Sequence, residues 1–477
     1  MSNDRFIIQV LEKFIQNLSK TYTIPSAPQR MKLSSFFYMG ISSLFLFPSQ
    51  HAKANTPNFI IIYADDLGYG DLSCMGSKNI STPHIDQMAK DGILFTNFYS
   101  ASASCTPARA SLMTGSYPDR VNLNNVLFPG NKDKKTGKTK GLNPNEITIA
   151  ELLKKQNYTT GMVGKWHLGD APQFMPNNQG FDYYFGLPYS NDMVPPRFID
   201  LPLIRNGEVI EINPDQDYLT QRYTEESLAF IEKNKDKPFF LYLSHSMPHR
   251  ACHVSPEFTK RFTKDQLDTI KPGEDKASRD FLYPAAVEEL DWSTGQVLKK
   301  LRELGLEENT LVVFSSDNGP KTGSAKPLRG KKGSVYEGGH RVPGIMQWKG
   351  CIPAATTSQE VVTAMDLLPT FSTLAGANIP SDRVIDGHNI LPLLEARPDA
   401  QSPYDAFFYT HGGMAVRKGD WKLIRGKRGG LYNLSNDISE STNLAKQYPE
   451  IVQKLTILME AHQADLKQNS RPAGTLD

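Results

Sequence analysis

The chain has 477 residues, 39% of them hydrophobic and 22% charged, and its 53 basic and 51 acidic side chains leave a net charge of +2. That length is enough to bury a large core, and α/β enzymes often keep several hundred residues around one sheet. Balanced charge without a long basic run excludes nucleic acid or an anionic membrane surface as the main partner. The most basic stretch, NKDKKTGKTK at 131–140, reads as a solvated loop.

In chain order, the first feature is a targeting segment. From Met31 the sequence runs MKLSSFFYMGISSLFLFPSQHAKA, with a positive Lys32, an apolar stretch over 33–47 and small residues at Ala52 and Ala54. This is the layout of a secretory signal peptide with an A-x-A cleavage site. The apolar stretch is too short to span a bilayer comfortably, so no stable membrane insertion is expected once the signal is removed. The expected product is exported, periplasmic or secreted, and begins at Asn55. Met31 sits where a start methionine belongs, and a start there would make 1–30 an over-extended reading frame. The expected organisation is an N-terminal extension and signal peptide over 1–54 (signal 31–54), a catalytic domain over 55–394 and a C-terminal α+β subdomain over 395–477. The cysteines are Cys74, Cys105, Cys252 and Cys351, too few for a disulfide framework in a chain this long.

After Asn55, apolar β-rich runs alternate with segments of helical period, the pattern of an α/β fold around a large, mostly parallel central sheet flanked by helices. Strands are predicted at 58–63, 158–164, 238–244 and 310–316, and helices at 83–91, 147–156, 224–234, 284–303 and 361–374. The 284–303 helix carries Val287, Leu290, Val297, Leu298 and Leu301 at core-facing spacing. Beyond DGHNILPLL the pattern changes. AFFYTH, GMAVRKGDWKLIRG and GLYNL read as short strands of a small antiparallel sheet, closed by a polar helix over 449–468.

Four motifs follow predicted strands, where open α/β sheets place their sites. YADDLGYGD supplies Asp65 and Asp66, and SSDNG supplies Asp317 and Asn318. Either pair alone reads as turn chemistry. Together, three carboxylates and an amide oxygen suit a hard cation, calcium or magnesium, and not zinc. GKWHLG places Lys165 and His167 two apart, on one face of an extended segment. SHSMPHRACH brings His245, His249 and His253, but without the accompanying ligands of a structural zinc site. One working histidine is the better reading.

The stretch SASCTPARASLMTG puts Cys105 directly before Thr-Pro-Ala-Arg. Cys-x-Pro-x-Arg followed by Ser-Leu-Met-Thr-Gly resembles the modification signature of the type I, formylglycine-dependent sulfatases, arylsulfatase-like members of the alkaline phosphatase superfamily. The other landmarks stand in that family's order: the Asp-Asp pair, GKWHLG, the Pro-His after a strand, SDNG and GKKGSVYEGGHRVPG. The resemblance runs from about Asn55 to the C-terminus. It implies that a maturation enzyme oxidises Cys105 to Cα-formylglycine, an aldehyde. A plain thiol or alcohol attacking sulfur would leave a stable ester. A hydrated aldehyde has two hydroxyls, one to attack sulfur and one to expel sulfate on losing its proton.

The resemblance also implies roles. Asp65, Asp66, Asp317 and Asn318, with the modified Cys105, would bind Ca2+ (or Mg2+). Lys165 and Lys332 would clamp sulfate oxygens, Lys332 being preferred over Lys331 because it directly precedes Gly-Ser-Val-Tyr-Glu-Gly-Gly. Arg109, one turn after Cys105, would hold the diol and the metal ligands. His167 would be the base, and His249 the leaving-group acid. Glu337, His340 and Arg341 are expected to support their loop. Substrate pockets in this family are lined by variable loops, here 187–198 with Tyr189, Asn191, Asp192 and Arg197, and the C-terminal sheet around His411. The implied substrate is a sulfated carbohydrate, with simple aryl sulfates also cleaved. The competing readings are a phosphodiesterase or phosphonate monoester hydrolase of the same superfamily, disfavoured by the Asp-Asn pair, and a non-catalytic binder of sulfated glycans, disfavoured by the intact set Cys105, Lys165, His167 and His249.

Overall fold

The computed structural model describes residues 56–130, 137–270, 276–410, 414–426 and 429–476; the signal segment and His411 lie outside them. Its main sheet has ten strands: β1 Asn58–Ala64, β2 Ile93–Phe95, β3 Thr159–Gly164, β4 Tyr183–Gly186, β5 Pro202–Arg205, β6 Glu208–Ile212, β7 Phe239–Ser244, β8 Thr310–Ser316, β9 Gly344–Gln347 and β10 Thr356–Ser358. Their spatial order is β10-β2-β9-β8-β1-β7-β3-β4-β5-β6. The central run from β8 to β4 is parallel, while β9 joins β8, and β5 and β6 extend the far edge, antiparallel. The four strands legible in the sequence form the middle of the sheet.

β1 shows why the middle is legible. It is apolar throughout because both faces are covered, the signature of a buried parallel strand. Phe59, Ile61 and Tyr63 enter the core on one face and Ile60, Ile62 and Ala64 the core on the other. The first face carries the helices α2 Cys105–Thr114, α3 Ile149–Lys154 and α7 Leu367–Ala375; the second carries α1 Pro83–Lys90, α4 Leu219–Asn234 and α5 Tyr283–Glu303. All five stripe residues of α5 are buried, each worth about 1.5–3 kcal/mol against exposure. Asp291 of the same helix accepts hydrogen bonds from the Ile85 and His84 amides at 2.8 and 3.3 Å. It takes up two free amides at the N-terminus of α1, where Thr82 makes no side-chain cap.

Two helices differ from expectation. α4 starts at Leu219, five residues before the expected 224, because Leu219 and Tyr223 continue its buried face one turn upstream. The helix expected over 361–374 begins only at Leu367. Val362 and Thr363 instead pair as a strand with Phe98 and Tyr99, and Thr363 then makes a capping box with Asp366. β-Branched residues and the cap set the boundary together.

Toward the C-terminus, β11 Phe407–Tyr409, β12 Ala415–Lys418, β13 Trp421–Ile424 and β14 Gly430–Asn433 form an antiparallel meander. The run read as one strand, GMAVRKGDWKLIRG, is split into a hairpin by Gly419 and Asp420, with Gly419 at φ +56°. The helix α8 Pro449–Gln468 covers this sheet, Leu455 and Met459 packing on Val416, Leu423 and Leu431.

His462 of α8 stacks on Phe408 at 3.8 Å and lies edge-on to Tyr117 at 5.0 Å. Burial, helped by the nearby Arg120 and opposed by Asp386 and Asp465, pushes its pKa down to about 4. The folded state therefore holds it neutral. Its contribution is complete above the unfolded value near 6.5 and is lost as pH falls toward 4. Thermal melts should drop between pH 6.5 and 4.5 by on the order of 1–3 kcal/mol more in the native chain than in His462→Phe. Parallel pH curves for the two proteins would contradict this.

Candidate active site

The C-terminal ends of β1, β3, β7 and β8 converge with the N-terminus of α2, so sheet topology alone gathers residues from five distant segments. Cys105 opens α2, following Ser104 in extended conformation. Every residue of α2 is buried. Its N-terminal amides and macrodipole favour an anion at this point.

Arg109, one turn further on, ties the strand ends together. Its guanidinium donates to Asp317 Oδ2 from Nε and Nη2 at 3.1 and 2.9 Å, to the Lys165 carbonyl at 3.0 Å and to Ser244 Oγ at 2.5 Å. It also stands 3.6 Å from Asp65 Oδ1. Its direct contacts are thus with the carboxylates, a backbone carbonyl and the Ser244 hydroxyl. Lys165 emerges where Gly164 crosses β7: a Cβ at Gly164, φ +108°, would lie 1.8 Å from the Ser244 carbonyl oxygen. Only glycine permits that approach.

Two lysines flank the cysteine. Lys165 Nζ sits 2.5 Å from Asp65 Oδ2 and 3.3 Å from Ser190 Oγ. Lys332 Nζ lies 3.0 Å from Cys105 Sγ and 2.7 Å from Asp66 Oδ1. Burial opposes ionisation of Asp65, but Lys165, then His249 and Arg109, bring its pKa down to about 2. Burial pushes the Cys105 thiol the other way, up to about 12, despite both lysines. At neutral pH this cysteine is protonated and a poor nucleophile.

The acidic residues meet as the sequence pattern implied. Asp66, at φ +64°, donates its amide to Asp317 Oδ1 at 3.1 Å, and Asn318 Nδ2 lies 2.6 Å from Asp66 Oδ1. Asp66 Oδ2 and Asn318 Oδ1 are buried with no hydrogen-bond partner. Orphaned oxygens are costly unless something positive meets them. An oxygen set of this kind fits a hard cation. Asp65, Asp66, Cys105 and His249 each bring one ligand atom within 4.8 Å of the others.

The histidines separate by environment. His249 is buried, its Nε2 3.6 Å from Asp66 Oδ2 and its Nδ1 without a hydrogen-bond partner. His245 is enclosed against Ser293, and burial lowers its pKa to about 3. His253 pairs with Asp217 at 2.7 Å. His167, at φ +63°, places Nε2 2.9 Å from the Leu127 carbonyl. A carbonyl only accepts, so Nε2 carries the proton and the buried, unpartnered Nδ1 is the free base. Burial, then Lys165 and Arg109, holds its pKa well below the usual histidine range.

Of the loop candidates, Tyr189 is buried with its hydroxyl donating to the Asp200 carbonyl at 2.8 Å. Asn191 is buried between Gln216 and the Ala251 carbonyl. Arg197 is exposed. Ser190, at Lys165, was not singled out in the sequence; a serine in a loop carries no signal of its own. Glu337 and Arg341 lie in a buried ionic cluster behind the Lys332 loop, and His340 packs edge-on to Tyr409.

Cationic side chains gathered around a buried cysteine at the C-terminal ends of a parallel sheet make a site for an anionic ligand. Comparison with known proteins makes this specific: the chain belongs to the sulfatase family, whose profile matches residues 57–377. Residues 331–465 match the C-terminal region of N-sulphoglucosamine sulphohydrolase. The chain is 33% identical to arylsulfatase G of Mus musculus, covering 83% of this chain and 78% of the relative. It is 37% identical to N-acetylgalactosamine-6-sulfatase of Rattus norvegicus, over 77% and 71%. Among solved structures, Ps i-CgsB aligns with a TM-score of 0.76 and 33% identity, covering 87% of this chain and 94% of that one; it has also been crystallised with k-i-k-neocarrahexaose. This protein is a sulfuric ester hydrolase.

Proposed function

We propose that the protein is an exported sulfatase acting on sulfated carbohydrate through a Cα-formylglycine made from Cys105, with Ca2+ as cofactor. The observation that carries the reading is Cys105 itself, buried at a helix N-terminus beside Lys332 and kept protonated by burial. A thiol so placed is no nucleophile, whereas a group of the same size made from it keeps the position and the anion-binding surroundings. As a hydrated aldehyde, residue 105 supplies one hydroxyl to attack sulfur and a second to release sulfate. The residues that would hold Ca2+ are Asp65, Asp66, Asp317 and Asn318; once bound, the ion offsets negative charge on the sulfate. Lys165 and Lys332 hold sulfate oxygens and meet the charge that grows there. His249 gives a proton to the departing alcohol. His167 Nδ1 takes the proton of the second hydroxyl. Similarity to Ps i-CgsB and to N-acetylgalactosamine-6-sulfatase supports a sugar substrate over a simple aryl one.

Peptide mass spectrometry of protein purified from its own host tests this. A loss of about 18 Da at Cys105, thiol to aldehyde, is the expected result; an unmodified thiol in an active preparation would overturn it. Ca2+ should raise the melting temperature and a chelator lower it, while insensitivity to both would count against the metal set. His249→Ala should cost about 10²–10³-fold in kcat/KM on sugar sulfates, whose alcohols leave poorly, and far less on 4-nitrophenyl sulfate. Equal losses on both would remove His249 from the acid role.

A further inference from the structure

The rim of the pocket carries a feature the catalytic machinery does not use. The 187–198 segment starts against the site, the Pro188 carbonyl accepting from the His167 amide at 3.0 Å and Ser190 meeting Lys165. It ends at Phe198, which stacks on Phe128 with ring centroids 5.7 Å apart and planes 7° off parallel. Phe128 directly follows Leu127, whose carbonyl meets His167 and whose amide donates to Thr106 Oγ1 at 3.1 Å. The stacked pair thus begins one residue from the carbonyl that orients His167, yet Phe128 remains 43% exposed. Arg197 lies on the outer side, its guanidinium carbon 5.2 Å from the Phe198 ring centre. It is exposed and makes no ion pair among the described residues.

A stacked pair with Phe128 exposed and Phe198 half-buried, flanked by a guanidinium that makes no ion pair among the described residues, has a specific use. The flat apolar face of a pyranose covers an aromatic ring well, and arginine binds planar or tetrahedral oxyanions through paired N–H groups. We propose that Phe128, Phe198 and Arg197 form a second subsite, which takes a sugar ring adjoining the one that is desulfated and pairs Arg197 with a further anionic group on it. The preferred substrate is then an oligosaccharide with a second sulfate or a uronate carboxylate, not an isolated monosulfated ring. This rests on the sulfatase reading, but the subsite can be tested apart from it.

Calorimetric binding of three disaccharides to the full chain in its thiol form provides that test: one monosulfated, one with a second sulfate on the neighbouring ring and one with a neighbouring uronate. The native chain should bind at least one dianionic ligand about five- to tenfold more tightly than the monosulfated one, and the preferred member identifies the anion. Arg197→Ala should erase that difference while leaving affinity for the monosulfated disaccharide unchanged; Phe128→Ala should weaken all three. Equal affinities in the native chain, a preference that survives Arg197→Ala, or no binding of any of the three would overturn the subsite. Turnover of 4-nitrophenyl sulfate by the matured native protein is the separate control. If matured native protein cleaves no sulfate ester, the catalytic reading fails while the binding result still decides the subsite.

Discussion

Cys105→Ala is expected to reduce sulfate ester hydrolysis by more than about 10⁴-fold, because covalent catalysis loses its only reacting atom. The fold should survive. Cys105 contributes the first turn of a wholly buried helix, and its contacts are with charged groups that hold one another independently: Lys332 with Asp66, and Lys165 with Asp65. Alanine removes one sulfur atom and keeps good helical propensity, so the melting temperature should shift by no more than a few degrees. Cys105→Ser is the sharper companion. It restores a hydroxyl of similar size, and were a simple alcohol sufficient, activity would return. The expected result is that serine stays as inactive as alanine in steady state, since a serine ester with sulfate has no second hydroxyl to release it. A small burst of one equivalent of alcohol without further turnover would agree with this; sustained turnover by the serine variant would sink the aldehyde mechanism.

The residues around Cys105 were readable from the sequence because a parallel sheet writes its site in short local motifs. Each strand end contributes two or three chemically distinctive residues, such as Asp65-Asp66, Lys165 with His167, or Asp317-Asn318, directly after an apolar run. Their convergence follows from topology and needs no pairing to be guessed. The edges of the sheet were less legible. β4 spans only four residues, and β6 exposes Val209, Ile210 and Ile212 at the rim, so the first lacks the length and the second the burial that makes a strand stand out. Harder still is what lies behind the site. Glu337 was expected to support its loop; two of its partners come from the C-terminal sheet, Tyr409 of β11 and Lys422 of β13, the latter 85 residues away. Within WKLIRG, Lys422 has the pattern of a solvent-facing strand residue. It is in fact fully buried, because the face it occupies is covered by the main body. Alternation gives the period of a strand but not which face is wet.

That hidden cluster leads to the second large effect. Lys422 Nζ lies 2.8 Å from Glu337 Oε1, 2.9 Å from Glu440 Oε1 and 3.9 Å from the centre of the Tyr409 ring. Tyr99 and Tyr409 donate to the two oxygens of Glu337 at 2.5 and 2.6 Å, while Arg417 donates to Tyr99. Burial opposes ionisation of Glu337, but Lys422, then Arg417 and Arg341, hold its pKa well below the carboxylate range. Lys422→Met removes the cation and leaves two buried carboxylates facing each other, which should cost about 3–5 kcal/mol. Adding Glu440→Gln should recover part of that loss, since one of the stranded charges goes with it. The consequence should reach the Cys105 site. Glu337 opens the short helix at Glu337–His340, and the Gly338 amide donates to the Arg329 carbonyl at 2.7 Å, closing the loop that carries Lys332. That loop is otherwise pinned by the Lys332 amide on the Pro320 carbonyl at 3.1 Å and the Gly333 amide on the Ala103 carbonyl at 2.8 Å. Measured well below its melting temperature, Lys422→Met should therefore lose about tenfold in kcat/KM as Lys332 loses its fixed place beside residue 105. If stability falls while kcat/KM stays native, the cluster is a stabiliser alone, and Lys332 is positioned by its two backbone hydrogen bonds without help from the C-terminal sheet.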